Sequence, residues 1–130
     1  MGTGKLVAKF RTDDDGSLRT HSIGKYLHYM IRLSVRELPE GVQTVTYMLH
    51  PSFRSGRIAT IPYGVPDFRE DIVSYGDFFI TVTAEGERPQ TREWFAEAFV
   101  SKLSEALTEG HPSHGRPPAI DEAIKRIASL

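Results

Sequence analysis

Two short segments of this chain hold residues able to do chemistry at a surface. One is Leu49-His50-Pro51-Ser52-Phe53, which sets an imidazole, a hydroxyl and a ring on a turn. The other is Val73-Ser74-Tyr75-Gly76-Asp77-Phe78. Turns run over the surface, so Phe53 and Tyr75 are hard to account for by packing alone and read as candidates for contact with a ligand. A plainer reading competes at each position. Phe78 belongs to an inward-facing alternation and fits a core position, while His50 and Ser52 fit struts that bond across their turn. His50, Ser52 and Asp77 are also the groups of a hydrolytic triad. However, Ser52 sits in no Gly-x-Ser-x-Gly elbow and nothing marks an oxyanion hole, so catalysis is not expected.

The remaining motifs are weaker. Asp13-Asp14-Asp15-Gly16 lacks the alternating ligands and the twelfth-position glutamate of a calcium loop, and reads as a turn. Gly2-Thr3-Gly4-Lys5 is too short for a phosphate loop, and His111 and His114 stand in a linker without carboxylates nearby. No metal or cofactor is expected. Sixteen basic and 17 acidic residues leave a formal charge of −1, which gives no electrostatic case for nucleic acid or a membrane surface. The absence of cysteine excludes disulfides and thiolate metal sites. With no apolar run of membrane-spanning length and no secretory pattern at the start, a cytoplasmic protein is expected.

The elements that must position these residues are strands. Lys5 to Phe10 alternates as a first strand, and Tyr26 to Val35 alternates cleanly with Leu27, Tyr29, Ile31, Leu33 and Val35 on one face. After the break at Leu38-Pro39-Glu40-Gly41, Val42 to Leu49 sends Val45, Tyr47 and Leu49 inward. Short strands are expected near Arg57 to Ile61 and around Phe68. A further one carries Phe78, Ile80 and Val82 and ends before Glu85-Gly86. Short strands joined by turn-rich segments predict an all-β, immunoglobulin-like β-sandwich over residues 1–88. Residues 89–130 read as one or two appended C-terminal α-helices. The first runs from Arg92 to Thr108 with Thr91 as N-cap, Gly110 as terminator and Phe95, Phe99, Leu103, Ala106 and Leu107 as its stripe. The second starts at Pro118 and carries Ile120, Ala123, Ile124 and Ile127 on its apolar face.

Within residues 26–83 the pattern resembles the YEATS domain, in particular its prokaryotic branch. The first turn of that family carries His-x-Ser-Phe, matched by His50-Pro51-Ser52-Phe53. The second carries an aromatic beside glycine and a further aromatic entering the next strand, matched by Tyr75-Gly76-Asp77-Phe78. Eukaryotic YEATS domains hold an acylated lysine between the aromatic rings of these turns. The resemblance implies that Phe53 and Tyr75 flank a planar acyl amide, with His50 and Ser52 orienting it. Backbone N–H groups around Tyr75 and Gly76 would donate to its oxygen, Tyr26 or His28 would add a wall, and Ser74 and Phe78 belong to the same implied site. It therefore implies a non-catalytic recognition module, a sensor or adaptor in a bacterial signalling or defence system. The implied ligand is an acylated protein or a small acyl-bearing or nucleotide-like molecule. The second reading is a structural interaction module, which docks on a protein partner or forms a homodimer through the C-terminal helices.

Overall fold

The computed structural model of the chain describes residues 4–49 and 58–129. Strand β1 (Lys5–Phe10) is followed by the expected turn. The Gly16 N–H donates to the Asp13 carbonyl at 2.9 Å, and the Asp15 carboxylate accepts from both the N–H and the hydroxyl of Ser17. A short strand that the sequence did not announce, β2 (Thr20–Ile23), leads through Gly24 into β3 (Tyr26–Arg36), the spine of the first sheet. Met30 shows how that sheet is assembled. Its N–H donates to the Arg19 carbonyl and its carbonyl accepts from the Arg11 N–H, at 3.0 and 2.9 Å. Strands β1 and β2 therefore follow one another along one side of β3, and β6 (Glu70–Ser74) pairs along the other.

The second sheet has the order β5-β4-β7-β8, antiparallel throughout. Its strands are β4 (Val42–Met48), β5 (Ile58–Pro62), β7 (Phe79–Glu87) and β8 (Trp94–Lys102). The inward sets Tyr29, Ile31, Leu33 and Val35 from β3 and Val45, Tyr47 and Leu49 from β4 are all buried, and Ile80, Val82 and Ala84 of β7 complete the layer between the sheets. The expected β-sandwich with C-terminal helices is thus what the chain forms. Its driving term is the apolar area that these two faces remove from water.

One expectation fails. Arg92 to Thr108 is not a single helix, because Trp94–Lys102 is β8 and only Leu103–Gly110 is helical, as α1. The β7–β8 hairpin closes where the Arg88 N–H donates to the Glu93 carbonyl, with Arg92 at φ 60°. Thr91 caps no helix; its hydroxyl oxygen accepts from the Glu93 N–H at 3.4 Å within the hairpin loop. The reason is compositional. β8 does alternate, with Phe95 and Phe99 facing the other sheet, but its outward residues are Trp94, Ala96, Ala98 and Val100 rather than polar ones. Apolar residues on both faces hid the period of two, and Phe95, Phe99 and Leu103 satisfied a helical spacing by coincidence. The sheet consequently continues past residue 88, and the helical part begins at Leu103.

α1 packs on β1, and α2 (Pro118–Ala128) packs against α1. α2 buries Ala123, Ile124 and Ile127, and carries Asp121–Lys125 and Glu122–Arg126 ion pairs at 3.0 and 3.6 Å. α1 buries Leu103, Ala106 and Leu107, and its end lies so close to β1 that a Cβ on Gly110 would overlap the Ala8 carbonyl. His111, next in the chain, accepts a hydrogen bond on Nε2 from the Phe10 N–H at 3.0 Å and stacks on the Phe10 ring at 5.5 Å. No helix among the described residues is long and apolar enough to cross a membrane.

An imidazole that accepts on Nε2 must be neutral there. Burial first, then Lys9 and Arg116, hold the His111 pKa below its ordinary value. The unfolded chain takes up this proton near about pH 6.5, the folded chain only below that, so the contribution is present above about 6.5 and lost as pH falls through the folded value. The urea midpoint is expected to be lower at about pH 5 than at about pH 7, and the gap to shrink in His111→Gln. A gap of equal size in the variant would count against this assignment.

Candidate functional site

Strand β6 sets Ser74 beside Tyr29, and continuing that register places Tyr75 beside His28 at the start of β3. The rings meet there. Tyr75 stacks on Tyr26 with centroids 4.5 Å and planes 24° apart, and the His28 imidazole lies against it at 4.9 Å with a tilt of 57°. The His28 Nδ1–H donates to the Tyr26 carbonyl at 3.2 Å, which fixes the imidazole against the strand end. Lys25 holds its ammonium 5.4 Å from the centre of the Tyr26 ring. Tyr26 and Tyr75 nevertheless stay 38% and 41% exposed, so the cluster is a surface feature rather than an extension of the core. Each aromatic pair contributes roughly 0.5 to 1.5 kcal/mol, enough to pre-order the rings without burying them.

The rest of the second turn faces inward. The Ser74 hydroxyl is buried, donates to the Gly76 carbonyl at 2.9 Å and accepts from the Gly76 N–H at 3.3 Å. One oxygen of Asp77 accepts from the N–H groups of Phe78 and Ser104, at 3.0 and 2.9 Å. The other accepts from the Ser104 hydroxyl at 2.6 Å. Ser104 lies in the first turn of α1, where backbone N–H groups have no intrahelical partner and the helix dipole favours a negative charge. Asp77 thus caps α1 from a distant part of the chain, and no side chain at the helix start does so. Phe78 is partly buried against the core.

Of the residues singled out by sequence, Tyr26, His28 and Tyr75 form one cluster, and Ser74 and Gly76 shape the turn beneath it. His50, Ser52 and Phe53 lie outside the described residues. Their flanking strand is informative. β4 ends at Met48 beside Thr81 of β7, close after the 75–78 turn, so the end of β4 stands at the end of the sandwich that carries Tyr75. Among the described residues no group of three His, Cys, Asp or Glu side chains is placed to hold a metal.

Sequence reasoning missed a groove at the opposite end. It has a volume of about 550 Å³ and is lined by Arg36, Glu37, Leu38, Tyr63, Asp67 and Phe68 among others. Its backbone is strained, with Glu37, Asp67 and Phe68 in left-handed conformation at φ 57°, 52° and 51°. Tyr47 holds the far wall: fully buried between the sheets, it donates its hydroxyl to the Phe68 carbonyl at 2.7 Å. Burial, with Glu70 and Asp67 nearby, pushes that phenol well above its ordinary range, so it stays a donor. The Gly64 and Pro66 breaks were the available signal. Along an 11-residue strand the groove and the aromatic cluster stand about 30 Å apart.

The fold and this geometry define a β-sandwich with a pre-ordered aromatic cluster at one end and helices closing one side. No protein-family model matches the chain, and no curated protein matches it.

Asp77→Ala is expected to lower the unfolding free energy by about 1 to 2 kcal/mol by freeing the α1 terminus, with the sheet signal in circular dichroism retained. Asp77→Asn, which keeps one acceptor, should lose less. Equal stability of wild type and Asp77→Ala in urea denaturation would refute the capping role.

Proposed function

We propose that the chain is a non-catalytic recognition module. It takes a planar, acyl-bearing group, an acylated lysine first among them, at the sandwich end carrying Tyr26, His28 and Tyr75. The observation that carries this reading is the half-exposed Tyr26–Tyr75 stack with His28 beside it, at the end of the sandwich where β4 ends. A solvent-facing aromatic cluster is costly to maintain unless something covers it, and these rings are fixed by neighbours rather than free to collapse.

The resemblance to YEATS domains supplies the ligand class. His50, Ser52 and Phe53 would add the second aromatic face and the orienting groups. Stacking of roughly 0.5 to 1.5 kcal/mol per ring, plus about 1 kcal/mol for a hydrogen bond to the amide oxygen, supports affinities in the micromolar range or weaker. Such a module suits a sensor or adaptor in a bacterial signalling or defence system, where a partner domain acts on what it detects. Docking through the C-terminal helices has less in its favour, since their apolar residues are used in the core. For a hydrolytic reading, Asp77 is already engaged by Ser104.

The test is an amide-shift NMR titration with acetylated and longer-acylated lysine peptides. Saturable shifts are expected in residues 26–28, 50–56 and 74–78. Tyr75→Ala, which removes an exposed ring, should weaken binding about tenfold without unfolding the chain. Flat titrations at millimolar peptide would remove acyl-lysine as the ligand.

A further inference from the structure

β8 is the longest edge strand among the described residues, nine residues with a neighbour on one side only. Two hydrogen bonds fix which of its groups are free. The Leu103 N–H donates to the Phe78 carbonyl and the Arg88 N–H to the Glu93 carbonyl, both continuing the β7–β8 register. Odd-numbered residues of β8 therefore bond to β7, and Trp94, Ala96, Ala98, Val100 and Lys102 direct their N–H and C=O groups outward. The side chains of the same five residues lie on the solvent face, where all are exposed, Trp94 at 59% and Val100 at 60%.

The other outer strands are protected in the ways edges usually are. β1 lies under α1, β5 is five residues long and ends on Pro62, β6 is five residues long and carries Glu70 and Asp71, and β2 is four residues long. β8 has no proline, and its solvent face carries no charge before Lys102.

We infer that β8 is the seam of a two-fold homodimer, in which the second sheets of two copies join antiparallel into one continuous sheet. Outward groups must meet outward groups, which limits the register. An axis at Glu97 would oppose two carboxylates. One at Phe99 would leave Trp94 without a partner residue. An axis at Ala98 uses all five outward residues and opposes no like charges. In that register Trp94 faces Lys102 of the second copy, a cation over an indole, and Lys102 already holds its ammonium 5.4 Å from the Phe79 ring beside it. Ala96 faces and covers Val100, and Ala98 faces its own copy. On the inner face Glu97 meets Phe99 while remaining paired with Arg88 at 3.7 Å. One strand per copy makes a small interface, so half-assembly is expected between about 1 and 100 µM.

Analytical ultracentrifugation over a concentration series tests this. The wild type should move from 14.6 kDa toward twice that mass. Ala98→Lys and Ala98→Glu place like charges directly across the axis, so each alone should remain monomeric, and their equimolar mixture should associate again. Ala98→Pro removes an outward N–H without touching the β7 ladder and should be a folded monomer by circular dichroism. A wild type monomeric at millimolar concentration overturns the proposal. So does a dimer that persists in Ala98→Lys and Ala98→Pro, or a mixture of the charge variants that stays monomeric.

Discussion

The backbone groups at the β1 edge are the constraint on which the rest of the molecule depends. An edge strand presents a row of N–H and C=O groups that must find partners, be covered, or stand in water. Here α1 is laid against that edge so closely that only glycine fits at position 110, and His111 takes the Phe10 N–H that the sheet leaves over. To reach that place, α1 must start at a fixed point at the end of β8. Asp77 sets that point by binding Ser104, and the apolar faces of α1 and α2 then close the core from the side. Edge satisfaction, helix capping and core burial are one arrangement.

The same arrangement determines what the 74–78 turn can present. Ser74 is spent on the turn itself, Asp77 on α1 and Phe78 on the core, so every residue that could have let the turn flex is held inward. Tyr75 is left outward on a rigid base and finds Tyr26 and His28 across the sheet. Preorganisation of this kind reduces the ordering cost that a ligand would otherwise meet, which matters most where individual contacts are weak. At the far end, the buried Tyr47 hydroxyl plays a comparable part for the Phe68 backbone.

What could be read from the sequence follows how strongly one face differs from the other. β1, β3 and β4 were legible because their inward residues are apolar and their outward ones are largely not, and α2 was legible because Pro118 and the apolar spacing agree. β2 was missed because all four of its residues are exposed, leaving no alternation to detect. Tyr75 was marked by its place on a turn, but Tyr26 and His28 were reached only by family resemblance. The assembly of their cluster depends on the β3–β6 register, a long-range pairing that no local pattern encodes. Asp77 could be read only as a triad acid or a turn residue, because its partner, Ser104, lies 27 residues away.

The failure at β8 has a different origin. A strand whose outer face met only water would be expected to carry threonine, lysine or glutamate there, as β7 does with Thr81, Thr83, Glu85 and Glu87. β8 instead carries Trp94, Ala96, Ala98 and Val100, and that substitution of apolar for polar residues is what made it read as a helix. An unprotected edge with an apolar outer face is a hazard for a protein that stays alone, and folded proteins generally guard against it. The residue pattern that defeats the strand signal is therefore also the one that a seam between two sheets requires, since residues beside such a seam have a neighbour on both sides and no longer need to be polar.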